Sequence, residues 1–199
     1  MKQRRISNSP LMDPSVCALV LIAPDVPDAT SIDARAHANC KRTVAVVTRA
    51  AEAADVPVFV VSRHAEEQQQ STLLAEPSTL RHRRFVLEEH ISPWSHKPFV
   101  DALTAEGRSI LILAGLWLEL EILTTALHAL IDAYDVYVLL DATVPRCPHA
   151  SEPSLNRLHQ AGATPVITSQ VIHEWSLEIA DASSRTVLRA LLPILMETQ

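Results

Sequence analysis

The chain has 199 residues, 48% of them hydrophobic, and carries a net charge of −6 with histidines neutral. This is the size of a single domain with a substantial core, and the acidic balance argues against nucleic acid as the main partner. With glycine only at 107, 115 and 162, neither a GxGxxG fingerprint nor a Walker loop can be written, which sets aside the standard dinucleotide and P-loop cofactors.

The cysteines, at 17, 40 and 147, give no disulfide framework and no zinc spacing. A reducing, cytoplasmic setting is the expectation. No stretch approaches about 18 uninterrupted apolar residues, so no membrane span is expected. Residues 1–15, MKQRRISNSPLMDPS, have positive charge but lack the apolar run of a secretory signal. They read as a flexible arm ahead of a single domain over 16–199.

CALVLI at 17–22 is the first predicted strand. A loop rich in proline and aspartate follows, and Ser31 or Asp33 can cap a helix running to about Ala54. PVFVVS at 57–62 is the second strand. Residues 63–83 are polar and irregular and read as a long excursion over the carboxyl edge of the sheet. Arg81, His82, Arg83 and Arg84 lie at its end and read as solvated loop. Residues 85–87 give a short strand, 97–106 a helix, 152–161 a helix, 164–168 a strand, and 170–196 a helical region broken near 181–183.

The centre of the chain is 109–143, SILILAGLWLELEILTTALHALIDAYDVYVLLDAT. An apolar run rich in branched residues (110–113) suits a strand buried on both faces. A helical pattern over 118–133 and a second apolar run over 136–140 complete a right-handed βαβ unit. Gly107 and Gly162 each follow a helical pattern and read as helix C-caps. Gly115 remains, where a strand's carboxyl end meets a helix start, and this is where open parallel sheets bind ligands. Five or six strands alternating with helices predict an α/β three-layer sandwich around a mostly parallel sheet.

The segments ALVLIAPD, PVFVVS, ILAGLWLELEILTTALHALIDAYDVYVLLDAT and LHQAGATPVITSQVIHEW resemble the isochorismatase-like cysteine hydrolase superfamily from about Cys17 to Trp175. Ser92-Pro93-Trp94 is similar to the asparagine-alanine-tryptophan-like loop of one branch. The resemblance implies a six-stranded parallel sheet and a homo-oligomer. It also implies three catalytic roles: an aspartate ending the first strand, a lysine or arginine before the central unit, and a cysteine nucleophile at the start of the central helix. There the helix N-terminus would lower the thiol's pKa and serve the oxyanion. In this chain those places fall on Ala23, on Leu87 or the adjacent Glu88, and on Glu121, while the threonine that precedes the cysteine becomes Leu118. A carboxylate at 121 would repel a developing oxyanion.

The expectation is therefore a family homologue without the family's cysteine chemistry, kept for binding or assembly. Its candidate pocket is Asp25, Glu88, Trp94, Gly115, Trp117, Leu118 and Glu121, with room for a small-molecule ligand. The alternative is an active hydrolase of a small amide, ester or enol ether. It would use Glu121 as base, with His90, His96 or Glu88 approaching, or a displaced nucleophile pair, Cys147 and His149. Zinc, which nicotinamidase-type relatives hold through an aspartate-x-histidine pair, is not expected: the corresponding stretch reads Ser62-Arg63-His64. Plainer readings stand beside these. Glu119 and Glu121 complement the helix dipole; Trp94 and Trp117 pack in the core or an interface as readily as they line a pocket; Cys17 and Cys40 are buried small apolar residues; Asp141 bonds loop N–H groups.

Overall fold

Six parallel strands stand side by side in the order β3-β2-β1-β4-β5-β6. They are β1 (Cys17–Ala23), β2 (Val58–Ser62), β3 (His82–Val86), β4 (Ile110–Leu116), β5 (Asp135–Val144) and β6 (Thr164–Val166). The computed structural model describes residues 9–23, 34–62, 82–87 and 92–196. The helices are α1 (Ala34–Ala53), α2 (Lys97–Glu106), α3 (Leu123–Ile131), α4 (Ser151–Ala161), α5 (Thr168–Glu178) and α6 (Ala182–Met196).

The expected three-layer α/β sandwich forms because the central strands bury both faces. Along β1, Cys17, Leu19 and Leu21 enter one core, which takes in α1, α5 and α6 through residues such as Val44, Trp175 and Leu188. Ala18, Val20 and Ile22 enter the other, which takes in α2, α3 and α4 through Phe99, Leu123 and Leu158. All seven residues of β4 are buried, as an unbroken apolar run without alternation requires. At about 1.5–3 kcal/mol for each large apolar side chain removed from water, these two cores supply the main stabilisation.

Gly107 (φ 65°) and Gly162 (φ 101°) close α2 and α4 in the left-handed region, as their positions predict. Gly115 has a different reason. Its φ is +121°, it faces Ile22 of β1 in register, and a Cβ there would lie 1.9 Å from the Ile22 carbonyl oxygen. Between Leu113 and Gly115 the pairing with β5 also slips. Leu113 faces Val138 and Gly115 faces Thr143, so two steps on β4 span five on β5. This bulge sets the carboxyl end of β5 on a new register.

Several elements differ from the sequence reading. Residues 82–84, expected as solvated loop, form most of β3, an edge strand. There Arg83 reaches Glu106 (2.6 Å) and the Ala102 carbonyl (3.3 Å), and its guanidinium lies 5.8 Å from the Phe59 ring centroid. Charged residues suit an edge, where their heads stay in water. The central helix opens with a π-turn at Leu118–Ile122 before α3 begins. β5 runs four residues beyond the expected 140, to Val144. Of the arm expected over residues 1–15, those from 9 onward are described and lie against α5. Ser9 Oγ donates to Glu178 (2.8 Å), the Met12 N–H donates to Glu174 (2.8 Å), and Met12 is 2% exposed.

Candidate functional site

The topology selects one place on the sheet. The helix after β1 covers one face and the helix after β4 covers the other, so these neighbouring strands form the switch point at whose carboxyl edge open parallel sheets bind ligands. Ala23 ends β1, and its carboxyl-edge neighbours are Ser62 on β2 and Gly115 to Leu116 on β4. Leu87 follows β3, its N–H bonded to the Ser62 carbonyl (2.7 Å). Thr143 and Val144 lie opposite Gly115 and Leu116.

From Gly115 the chain turns sharply. The Leu116–Trp117 peptide is cis. The Trp117 carbonyl then accepts from the N–H groups of both Leu120 (3.2 Å) and Ile122 (3.1 Å), the second being the five-residue reach of a π-turn. Trp117 itself is 4% exposed and belongs to the core on the α1 side. Leu118 turns the other way, into a cluster with Ile22, Val61, Leu87 and Ile122. Leu87 and Leu118 are each 4% exposed. The expected pocket residues therefore divide at this turn, one side chain to each face of the sheet.

The two glutamates of the turn have separate tasks. Glu119 does more than complement a helix dipole: its carboxylate accepts from the backbone N–H of Arg146 (3.1 Å) and Cys147 (2.8 Å) and clamps the loop after β5 to the turn after β4. Glu121 is half-buried, with Oε2 withdrawn from solvent. Trp94 lies away from the turn. Its indole N–H donates to Asp132 (2.8 Å), and its ring meets Phe99 and Tyr134 edge-on at 6.2 and 6.0 Å. That is a packing role tying the 92–95 segment to the end of α3.

Cys147 and His149 are both exposed, and no hydrogen bond joins them. Cys17 and Cys40 are buried, and burial pushes each thiol up to about 12. Cys40 Sγ donates to the Ala142 carbonyl (3.2 Å). Asp141 accepts from the N–H of Thr168 (3.0 and 3.1 Å) and from its hydroxyl (2.9 Å), so a carboxylate meets the first turn of α5. Burial of the carboxyl raises its pKa, against these hydrogen bonds. Asp25, Glu88 and His90 lie outside the described residues. Thr143 was not singled out in the sequence, although it is the polar residue closing the Asp-Ala-Thr end of β5 opposite Gly115. That position was the available signal.

The "Isochorismatase domain" family model matches residues 20–170. This chain belongs to the isochorismatase family. A stretch of 74 residues is 35% identical to the probable hydrolase YcaC of Escherichia coli strain K12, covering 37% of this chain and 36% of that protein, so the alignment spans about a third of the relative's length. The fold matches more widely. The structure of Escherichia coli YcaC, described as an octameric hydrolase of unknown specificity, superposes with a TM-score of 0.71 over 96% of both chains at 19% identity. Pseudomonas aeruginosa YcaC gives 0.70 over 96% of both at 18% identity. A pyrazinamidase/nicotinamidase from Streptococcus mutans gives 0.59, over 75% of this chain and 99% of that one, at 19% identity. At these identities the superpositions establish the shared fold. Among the described residues no helix is long and apolar enough to cross a membrane.

Proposed function

We propose that this member of the family does not carry out cysteine-dependent hydrolysis and serves in binding or assembly. The observation that carries the reading is the turn after β4. At the place where the resemblance puts the nucleophile, Glu121 stands half-buried, and Leu118 and Leu87 beside it are buried in one apolar cluster. A carboxylate cannot take the part of a thiolate whose neighbouring N–H groups stabilise an oxyanion; it opposes that charge. Each missing catalytic role is commonly worth a factor of about 10² to 10⁴. With Ala23, Leu87 and Glu121 in the three places, little rate remains. The test is turnover on a panel of small amides, enol ethers and ureido acids. Background rates are expected; robust hydrolysis abolished by Glu121→Ala would overturn the reading.

The alternative, an active hydrolase using Glu121 or the pair Cys147 and His149, has less support. Both members of the pair are exposed, with no hydrogen bond between them to generate a thiolate. A homo-oligomer in a reducing cytoplasm completes the proposal. In its support, Escherichia coli YcaC is an octamer, Leu177, Val187 and Ile194 expose apolar surface on α5 and α6, and all three cysteines are unpaired. Light scattering on the eluted peak reads the assembly directly, and a monomer at micromolar concentration removes it.

A further inference from the structure

Residues 9–16 lie against α5 on the way into β1, and side chains hold them there. Ser9 Oγ donates to Glu178 (2.8 Å) and the Met12 N–H donates to Glu174 (2.8 Å), two carboxylates one turn apart on α5. The Arg108 guanidinium donates to the Pro14 carbonyl (3.1 Å) and to the Ser15 carbonyl. Among the described residues, backbone bonding to the sheet region begins at Val16, whose carbonyl accepts from the Ser109 N–H (3.0 Å). A segment with few backbone bonds to its surroundings opens at lower cost than the domain as a whole. Beneath this one lies a thiol. Cys17 is fully buried, its Sγ donates to the Asp13 carbonyl (3.2 Å), and the indole N–H of the fully buried Trp175 faces it from α5. Cys40 shares the same core but bonds the Ala142 carbonyl of β5 instead.

We propose that residues 9–13 are a strap that opens apart from the domain, latched by Glu174 and Glu178 and gating access to the Cys17 thiol. The hinge is Pro14, whose ring fixes φ and whose carbonyl stays on Arg108. Shut, the strap supplies the thiol's acceptor through Asp13 and seats Met12, 2% exposed, in the core. Open, it takes both away and water reaches the sulfur. The reactive form of a cysteine is the thiolate, and burial in the shut state holds this thiol up at about 12. Carboxylates suit a latch: a hydrogen bond to a charged acceptor is stronger than one to a neutral acceptor, and at a half-buried position water can replace it. Cys17 begins β1, so the gate lies at the amino end of the sheet, opposite the edge that carries Gly115 and Glu121. The inference goes beyond the proposed function and does not rest on it.

The test is alkylation of the full chain with iodoacetamide in native buffer at neutral pH, each cysteine followed by peptide mass, with amide exchange at Met12 alongside. In the wild type the strap is shut and Cys17 stays protected. In the double variant Glu174→Ala/Glu178→Ala, Cys17 is expected to react about tenfold faster or more, since losing a hydrogen bond to a charged group shifts an opening equilibrium by that order. Exchange protection at Met12 should go with it, while Cys40 stays as slow as in the wild type. Glu174→Gln keeps an oxygen for the Met12 N–H and is expected to react nearly as the wild type does. Cys17 as slow in the double variant as in the wild type would overturn the latch. Cys17 and Cys40 reacting in step, or a double variant that does not fold, would show that the strap belongs to the cooperative unit of the domain, and would overturn the inference as well.

Discussion

Glu119 and Cys147, 28 positions apart in the chain, are joined by a 2.8 Å hydrogen bond from the Cys147 backbone N–H to the glutamate carboxylate, and the Arg146 N–H donates to the same group at 3.1 Å. The turn after β4 and the loop after β5 are thus one unit at the carboxyl edge of the sheet. The bonds are solvent-exposed, so their net value is modest, about 1 kcal/mol. Glu119→Ala is expected to leave the fold intact, remove amide-exchange protection at 146 and 147, and speed alkylation of Cys147 several-fold. Wild-type exchange at those two amides in the variant would show that the clamp does nothing.

Gly115 and Gly162 both have positive φ, but their surroundings differ. A Cβ at 162 would meet only Leu130 Cδ2 at 4.0 Å, whereas one at 115 would strike the Ile22 carbonyl at 1.9 Å. Gly162→Ala is expected to cost about 1–2 kcal/mol, the backbone strain alone. Gly115→Ala adds displacement of β1 from β4 in the middle of the sheet, at about 3 kcal/mol or more in total. At roughly 2–4 °C per kcal/mol for a chain of this size, thermal denaturation should separate the two variants clearly. Equal melting temperatures would mean that β1 yields easily at Ile22.

The contrast between those glycines shows what the sequence could convey. Gly107 and Gly162 were legible as caps because a helix end is a local event. Gly115 was legible as special from its place between a strand and a helix, but the close approach of Ile22, 93 positions earlier, is long-range and leaves no local pattern. The doubly buried strands announced themselves as unbroken apolar runs. β3 did not, because an edge strand can carry polar and charged residues, and it opens on His82-Arg83-Arg84. The π-turn at Leu118–Ile122 has the composition of ordinary helix. At the site, Glu121 was found through the resemblance. The loop clamp of Glu119 depends on which strands meet, and the register shift between β4 and β5 decides that.

Asp141 ties β5 to α5 through Thr168, accepting from both its N–H and its hydroxyl. Removing a side-chain acceptor from the start of a helix costs about 0.5–2 kcal/mol, and Asp141→Ala is expected to fall in that range. Asp141→Asn keeps an oxygen for both donors. It also removes the charge, which partial burial of the carboxyl disfavours only weakly because Asp141 keeps contact with solvent. A raised folded pKa means that the native state holds the proton longer, so the charged form subtracts stability as pH climbs past the ordinary carboxylate range. The asparagine variant should therefore lose less than the alanine variant at neutral pH, in urea melts of the two side by side. An equal loss would show that the charge itself secures the helix.

The three thiols give a test of the core that needs no assumption about function. Cys147 is exposed, while Cys17 and Cys40 are buried on the α1 side of the sheet. A thiol reagent at neutral pH should label one cysteine in the native protein and the other two only on unfolding. Burial pushes Cys17 and Cys40 from 9.0 up to about 12, and the sign of the linkage follows. The unfolded chain releases these protons near pH 9 and the folded chain holds them to about 12, so between those values the native state binds more protons and stability falls as pH rises. Each thiol contributes a slope of up to about 1.4 kcal/mol per pH unit in that window and none below it. Cys40→Ala should start lower, because it loses the bond to the Ala142 carbonyl, yet decline less steeply above pH 9. Urea melts of wild type and variant from pH 7 to 11 read both effects. Parallel curves through that range would mean that Cys40 ionises as readily folded as unfolded, and would contradict its burial.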